Sequence, residues 1–243
     1  MATSCSHVLL WVRDLHQAVR DYRELGFRVD YATPEPKAQH AHIWFTEGPI
    51  IELLTTPRSA RWFKWPIELM AGRGSGRRMI RWSEGGEGFC DVAVVTDTHA
   101  LDRELTALRE AGVPVGRAIG WRRTRPDGQQ IRFKFAYPAN DRLPFIVSPY
   151  DPPQHPEDSR HPNGARRLSR VKMGVRAEHR EAVRRIVGDD PTFVLEPAEV
   201  TGVRAIEIAG LAAELDPSLL HGAVVLPARP PSDPSQAHRS AGQ

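Results

Sequence analysis

Polar and apolar positions alternate over residues 6–12, which predicts a β-strand with two unlike faces. One face carries His7, Leu9 and Trp11, and the other carries Val8, Leu10 and Val12. A helix is predicted next, because Asp14 is a favourable N-cap and Gly26 fits the left-handed end of a helix. The buried stripe of this helix, at helical spacing, is Leu15, Val19, Tyr22 and Leu25.

The same strand, helix and glycine recur at residues 91–112, which indicates an internal repeat. When Gly112 is aligned with Gly26, the second apolar stripe matches the first: Leu101, Leu105, Leu108 and Ala111. A weaker third copy begins at SRVKMGV (169–175), which repeats the Ser and both Val positions of SHVLLWV (6–12). The leading polar residue changes from His7 to Asp91 to Arg170.

Each copy continues with short strands, so the repeated unit is predicted to be βαβββ and the fold class α+β. In the first unit the later strands are 27–31, 40–45 and 50–54. In the second, Asp127-Gly128 predicts a hairpin turn between 120–125 and 129–136, and 143–148 follows. In the third, a helix is expected at 177–187 and strands at 193–196, 203–208 and 223–226.

These elements predict a modular organisation. The expected segments are a first module at 6–57, a linker at 58–88, a second module at 89–150, a proline-rich connection at 151–167, a third, degenerate module at 168–227 and a disordered tail at 228–243. The GRGSGRR run at 72–78 lacks the GxxxxGK[ST] spacing of a phosphate loop and is interpreted as flexible linker.

Composition excludes several classes of protein. The net charge of +3 over 243 residues does not indicate a nucleic-acid partner. No apolar run approaches the roughly 18 residues of a membrane span, and no signal-peptide pattern is present. Two cysteines, Cys5 and Cys90, give no disulfide framework, so we expect a cytoplasmic protein.

Polar residues recur on one face of the predicted strands, which indicates a site on that face. The opposite faces are predicted to pack on helices: Val8, Leu10, Val12, Ile43, Phe45, Ile51, Leu53, Val92, Val94, Ile131, Phe133 and Phe135. The predicted site face carries His7, Trp11, His40, His42, Trp44, Glu52, Asp91, Arg132 and Lys134.

The sequence resembles the vicinal-oxygen-chelate superfamily, and within it the glyoxalase-like domain subgroup. The resemblance lies in SHVLLWVRDLHQAVRDYRELGF, the closing strand IIELL, and the GWRRTRPDG, LPFIVSPY and HPNG stretches. It implies βαβββ modules that pair into a cup-shaped mixed sheet with helices outside. It does not fix the activity, because the superfamily includes glyoxalase I, extradiol dioxygenases, fosfomycin-resistance proteins and bleomycin-binding proteins.

The resemblance also implies metal ligands on the first and last strands of each module. His7 and Glu52 match two of these positions, and Asp91 stands where the second module usually has a histidine. Ile146, at the fourth position, has no donor. The expected set is His7, Glu52 and Asp91 around a divalent ion whose identity the sequence does not give, and the alternative is no metal.

The predicted catalytic residues are Glu52, His42 and His40, where either histidine would replace the fourth ligand or act as a base. The predicted substrate-binding residues are Trp11, Trp44 and Trp121 as walls, with Arg132 and Lys134 as anchors for an anion. These residues favour a metal-dependent isomerase or lyase acting on a small oxygen-bearing substrate. The alternatives are a metal-free acid–base enzyme and a metal-free binding protein that sequesters a small molecule.

The third module raises the question of assembly, because two modules complete one cup. The odd module either caps the cup or pairs with its copy in a second chain, which would give a homodimer. Arg170 at the position of His7 predicts no metal in this module.

Overall fold

Two βαβββ modules share one sheet in the computed structural model, which describes residues 3–56, 68–69, 72 and 74–228. The first module consists of β1 (Thr3–Trp11), α1 (Leu15–Glu24), β2 (Asp30–Tyr31), β3 (His40–Ile43) and β4 (Ile50–Leu54). Helix α2 (Ser75–Glu84) follows. The second module consists of β5 (Gly88–Thr96), α3 (Asp102–Glu110), β6 (Ile119–Thr124), β7 (Gln130–Ala136) and β8 (Phe145–Val147).

The eight strands lie in the order β2-β3-β4-β1-β5-β8-β7-β6. The two modules join through the antiparallel pair of β1 and β5 at the centre of the sheet. In each module the first strand runs parallel to the last, β1 to β4 and β5 to β8. The two modules therefore have the same topology, which confirms the α+β fold built from paired βαβββ modules.

Helices α1 and α3 pack on one side of the sheet, which we call the outer face. Asp14 caps α1 by accepting a hydrogen bond from the backbone N–H of Gln17 at 3.0 Å. Both helices end at a glycine with positive φ, Gly26 at 81° and Gly112 at 79°. The apolar faces of β1, β3, β4 and β5 join these helices in one core, as predicted. None of the described helices is long and apolar enough to cross a membrane.

A third unit packs on the same outer face. It consists of β9 (Arg167–Val175), α4 (Arg180–Val187), β10 (Phe193–Pro197), β11 (Gly202–Ala209) and β12 (Val225–Pro227). Its four strands lie in the order β10-β9-β11-β12, so the first strand of this unit, β9, pairs with the second, β10. In each of the other two modules the first strand pairs with the last strand of the same module. The unit keeps the βαβββ element order but not the module topology.

The apolar residues of the third unit pack against the outer face of the eight-stranded sheet of the same chain. Val171 and Ile206 join Val8 and Val92 in the outer-face core, and the Tyr22 hydroxyl donates to the carbonyl of Leu220 at 3.3 Å. The unit therefore lies behind the sheet and does not cap the cup, and the homodimer stays a prediction.

The predicted linker contains a helix. The 72–81 stretch, interpreted from its sequence as flexible, is largely part of α2, and Arg78 and Trp82 are buried on its inward side. A basic run was mistaken for solvated chain because its charge is neutralised by a partner distant in sequence. Residues 57–67 of the predicted linker and 229–243 of the predicted tail lie outside the described residues.

The two equivalent helix-terminal glycines allow a test of how the 151–167 connection is held. Asn163 donates from its amide to the carbonyl of Leu25 at 2.9 Å. A Cβ added at Gly26 would lie 2.9 Å from the Cβ of Asn163, whereas one at Gly112 would meet nothing within 4 Å. We expect Gly112→Ala to lower the free energy of unfolding by about 1–2 kcal/mol through backbone strain alone. Gly26→Ala should cost distinctly more, as measured by denaturant unfolding, and equal losses would contradict this packing.

Candidate active site

Three histidines surround one carboxylate on the inner face of the first module. Glu52 on β4 is the direct cross-strand neighbour of His42 on β3, and His7 lies on the adjoining strand β1. The Oε1 atom of Glu52 lies 2.6 Å from His40 Nδ1 and 3.8 Å from His42 Nε2, and its Oε2 atom lies 3.3 Å from His7 Nε2. We call His7, His40, His42 and Glu52 the imidazole–carboxylate cluster. The structure thus brings together four of the predicted site residues.

Burial and hydrogen bonding together determine the charges in this cluster. Burial raises the pKa of Glu52, but the hydrogen bond from His40 and the nearby imidazoles of His42 and His7 outweigh it and hold that pKa well below its usual range. Burial lowers the pKa of His42 to about 4 and also lowers the pKa of His7. At neutral pH an ionised Glu52 therefore faces uncharged His7 and His42.

Each of these two imidazoles has a second partner. The Ser6 hydroxyl lies 2.9 Å from His7 Nδ1. Arg123 on β6 approaches His42 Nε2 with Nη1 at 3.5 Å, and the tautomer of His42 decides whether this nitrogen accepts from the guanidinium or donates to Glu52. Gln154, in the proline-rich connection, accepts from Arg123 Nη2 at 2.7 Å.

Sequence reasoning missed both Arg123 and Gln154. The register of the Asp127-Gly128 hairpin pairs Arg123 with Ile131, but the sequence assigns Ile131 to the helix side, so Arg123 is found only once the faces of β7 are known. No periodic signal marks Gln154.

A cavity of about 440 Å³ opens beside the cluster. His42, Trp44 and Gln154 are among the residues that line it. Trp44 meets His42 edge to face, with ring centroids 5.4 Å apart. The predicted wall residue Trp44 is therefore next to the cluster, at a cavity of small-molecule size.

Asp91 has a different role from the one we expected. Its Oδ2 atom accepts from Arg78 Nη1 at 2.5 Å, Arg81 Nη2 at 2.9 Å and Trp82 Nε1 at 2.8 Å. This corrects the assignment of Asp91 as a metal ligand. Its carboxylate is already satisfied by three N–H donors from α2, which the sequence-based interpretation had treated as linker.

Side chains from α2 and from the sheet fill the second half of the cup. The Arg78 side chain has no solvent exposure, and its guanidinium lies over the rings of Tyr137 and Phe145 at 5.1 and 5.8 Å. Trp11, predicted to contact substrate, is packed in the same apolar group, and its indole donates to Thr56 Oγ1 at 2.9 Å. The polar chemistry is therefore concentrated in the first module.

The faces of β7 are inverted relative to the prediction. Phe135 packs with the inner group, while Ala136 belongs to the outer core, so Arg132 and Lys134 lie on the outer face with Ala136. They line a separate depression with Trp121, which is 52% exposed. Ile131, Phe133 and Phe135 were assigned to the helix side because they are apolar, but the filled half of the cup is apolar as well.

The donors do not complete the expected metal site. Within the described ranges, no group of three or more His, Cys, Asp or Glu side chains is arranged to hold a metal ion. The undescribed residues before 229 include none of these four types. Asp91 is held by α2, and Glu52 Oε1 is bonded to His40. Two donors remain close to each other, His7 Nε2 and Glu52 Oε2.

The position of Asp91 gives a stability test. We expect Asp91→Ala to lower the free energy of unfolding by about 3–5 kcal/mol, because it leaves the buried guanidinium of Arg78 without its counter-ion. The control is Glu47→Ala, which removes an exposed pair with Arg167 at 3.8 Å and should stay within about 1 kcal/mol of wild type. Denaturant unfolding measures both. A wild-type value for Asp91→Ala would mean that Asp91 does not stabilise the filled half of the cup.

Comparison with known proteins supports the sequence resemblance. A family model described as a glyoxalase-like domain matches residues 5–187. A hypothetical protein from Staphylococcus aureus is 13% identical, with 87% of this chain and 93% of that chain covered and a TM-score of 0.64. No curated protein matches the sequence significantly.

Two enzymes are more distant structural neighbours. The Mn(II)-bound glyoxalase from Novosphingobium aromaticivorans is 10% identical, with 85% of this chain and 65% of that chain covered and a TM-score of 0.49. An extradiol ring-cleaving dioxygenase from B. fuscum is 12% identical, with 85% and 56% covered and a TM-score of 0.48. At such identities a structural likeness shows the fold alone. The family model covers most of the chain, so the expected membership of the vicinal-oxygen-chelate superfamily is confirmed, and the chain belongs to the glyoxalase-like domain family.

Proposed function

We propose that this protein is a small-molecule enzyme that moves protons at its imidazole–carboxylate cluster, in an isomerase or lyase type of reaction on an oxygen-bearing substrate. One observation carries the proposal. A buried Glu52 carboxyl group lies 2.6 Å from His40, 3.3 Å from His7 and 3.8 Å from His42, and His42 lines a cavity of about 440 Å³.

Glu52 is the proton acceptor in this proposal. Its carboxylate is ionised throughout the neutral pH range, because its pKa is held well below the usual value. The hydrogen bond from His40 occupies Oε1 and fixes the orientation of the carboxylate, so Oε2 is the oxygen that takes the proton in this proposal. A substrate C–H beside a carbonyl group is acidic enough to be a target. In an α-hydroxy carbonyl compound, return of the proton to the former carbonyl carbon, with transfer of the hydroxyl proton to the former carbonyl oxygen, gives isomerisation. Departure of a leaving group with its bonding electrons from the β-carbon instead gives a lyase reaction.

His42 supplies the second proton-handling group. Its imidazole is uncharged at neutral pH, its Nε2 atom lies 3.5 Å from Arg123 Nη1, and His42 is one of the residues that line the cavity. An imidazole at this place can accept a proton or hydrogen-bond a substrate oxygen without bringing a charge of its own.

The cytoplasmic location and the homodimer stay predictions from the sequence.

A divalent-metal enzyme is the second candidate. The observation that favours it is the 3.3 Å between His7 Nε2 and Glu52 Oε2, since two ligands of one Zn²⁺ ion stand roughly 3–3.5 Å apart. The contact of Ser6 with His7 Nδ1 is the kind that orients a metal-binding imidazole. In the observed arrangement no third protein ligand among the described residues joins these two, which is why the metal-free centre is preferred.

Proton exchange tests the proposal with a panel of candidate substrates. Small hydroxy- and oxo-compounds are incubated with the enzyme in D2O, and loss of C–H signals is followed by NMR. We expect wild-type protein to exchange at least one compound and Glu52→Gln to be slower by about 10²–10⁴-fold, because it removes the base. Glu47→Gln, a change at an exposed glutamate, is the control. Wild-type rates for Glu52→Gln would contradict the proposal.

Chelation separates the two candidates. We expect proton exchange by wild-type protein to persist after dialysis against EDTA, because no step depends on a metal ion. Metal content is measured by mass spectrometry before and after dialysis, and again in His7→Ala. A stoichiometric divalent ion that is lost in His7→Ala together with the exchange would establish the metal-dependent candidate instead.

A further inference from the structure

Arg123 places a positive charge beside the cluster without a carboxylate in direct contact. The side chain is half-buried, its Nη1 atom lies 3.5 Å from His42 Nε2, and its guanidinium lies 5.8 Å from the ring of Tyr150. No described carboxylate lies within 4 Å of this guanidinium, whereas the buried Arg78 is neutralised by Asp91. A cation that loses water on folding is costly unless a negative group replaces the water.

Two N–H donors, one on Arg123 and one on the adjacent Gln154, have no hydrogen-bond acceptor among the described residues. The Nε atom of Arg123 and the Nε2 atom of Gln154 are both buried, and nothing in the described part of the chain accepts from them. The orientation of the Gln154 amide follows from its neighbour, because Oε1 must face the donating Nη2 of Arg123 at 2.7 Å. Gln154 is 6% exposed, so its unpaired N–H is not simply hydrated at the surface.

One of these two residues, Gln154, lines the cavity beside the cluster, and Arg123, which is not itself a lining residue, is bonded to Gln154. Gln154, His42 and Trp44 all line it. The charged lining residues balance as three arginines and three carboxylates, namely Arg23, Arg28, Arg125, Asp30, Glu35 and Asp127. The charged lining is therefore neutral, and the charges next to it are the Arg123 guanidinium and the Glu52 carboxylate, which lie 3.5 and 3.8 Å from His42 Nε2.

We propose that Arg123 and Gln154 form an anion-binding subsite that selects substrates carrying a carboxylate group and holds them against His42. The two carboxylate oxygens accept from Arg123 Nε–H and Gln154 Nε2–H, which satisfies both orphan donors and neutralises the guanidinium. This inference rests on the proposed function, since it names the class of substrate on which the imidazole–carboxylate cluster acts.

The chain contains a matched control for Arg123. Arg122 is the preceding residue on β6 and lies opposite Arg132 in the hairpin, whereas Arg123 lies opposite Ile131. Their side chains therefore leave opposite faces of the strand. Both Arg122 and Arg132 line the separate depression that contains Lys134. Arg122→Gln removes the same charge from the same strand without changing the proposed subsite.

Binding of small carboxylates tests the subsite on the full chain. The probes are pyruvate and benzoate at millimolar concentration, each compared with its neutral amide, pyruvamide or benzamide, at constant ionic strength and neutral pH. We expect at least one carboxylate to raise the melting temperature of wild-type protein in proportion to its concentration, and its amide to have no such effect. Arg123→Gln should weaken the binding about tenfold or more, and Arg122→Gln should bind as wild type does.

Two further variants keep the test decisive if Arg123→Gln does not fold. Gln154→Met removes the amide with little change of volume, and Arg123→Lys keeps the charge without the Nε–H donor. Both should weaken carboxylate binding while melting cooperatively without ligand. The proposal is overturned if the amides bind as well as the acids, if neither acid binds wild type, if Arg122→Gln loses binding as Arg123→Gln does, or if the folded subsite variants bind as wild type.

Glu52→Gln distinguishes this inference from the proposed function. It should lose proton exchange but retain the shift in melting temperature with carboxylate, because Glu52 does not hold the anion. If Glu52→Gln exchanges protons at the wild-type rate, the proposed function fails, while the binding experiment still decides the subsite independently.

Discussion

The ion pair between Asp91 and Arg78 determines where the open part of this fold can be. Arg78 carries a full charge at a position without solvent, which is tolerable because Asp91 accepts from it directly. This contact fixes helix α2 over the inner face of the second module, where Trp82 and the ring of Tyr137 complete the packing. Side chains therefore fill the second half of the cup, whereas the first half keeps its polar groups and its cavity.

The three copies of the repeat show how environment decides the role of the polar residue on the first strand. His7 lies beside Glu52 and belongs to the imidazole–carboxylate cluster. Asp91, on the first strand of the second module, anchors α2, and Arg170, on the first strand of the third unit, lies near Glu207. Duplication of a module thus provides two similar surfaces, of which one carries the chemistry and the other the packing. The same asymmetry explains why a ligand pattern carried over from a symmetric pair of modules fails at Asp91.

Alternation of residue types predicted the first module well. The faces of β1, β3 and β4 follow the sequence because their polar residues are concentrated on one side, and Asp14 and Gly26 mark α1 through local chemistry alone. The imidazole–carboxylate cluster follows from those faces. Strand β7 was misread because apolar side chains can pack against helices or inside a filled cup, and period two alone does not distinguish the two environments.

Long-range contacts account for what the sequence did not reveal. Gln154 lies in a proline-rich stretch without periodicity, and its relation to Arg123 exists only after folding. The pairing of β10 with β9 likewise depends on how the third unit packs, not on its local pattern.

The position of the third unit also bears on how the fold can be shortened. It adds its own apolar residues to the core behind β1 and β5, the pair that joins the modules. A chain ending at residue 166 would leave that part of the outer face exposed to water, although every cluster residue would still be present. An apolar surface of this kind promotes aggregation or association. A two-module relative therefore needs another cover for the back of its central strands, such as a longer helix or a second copy of itself.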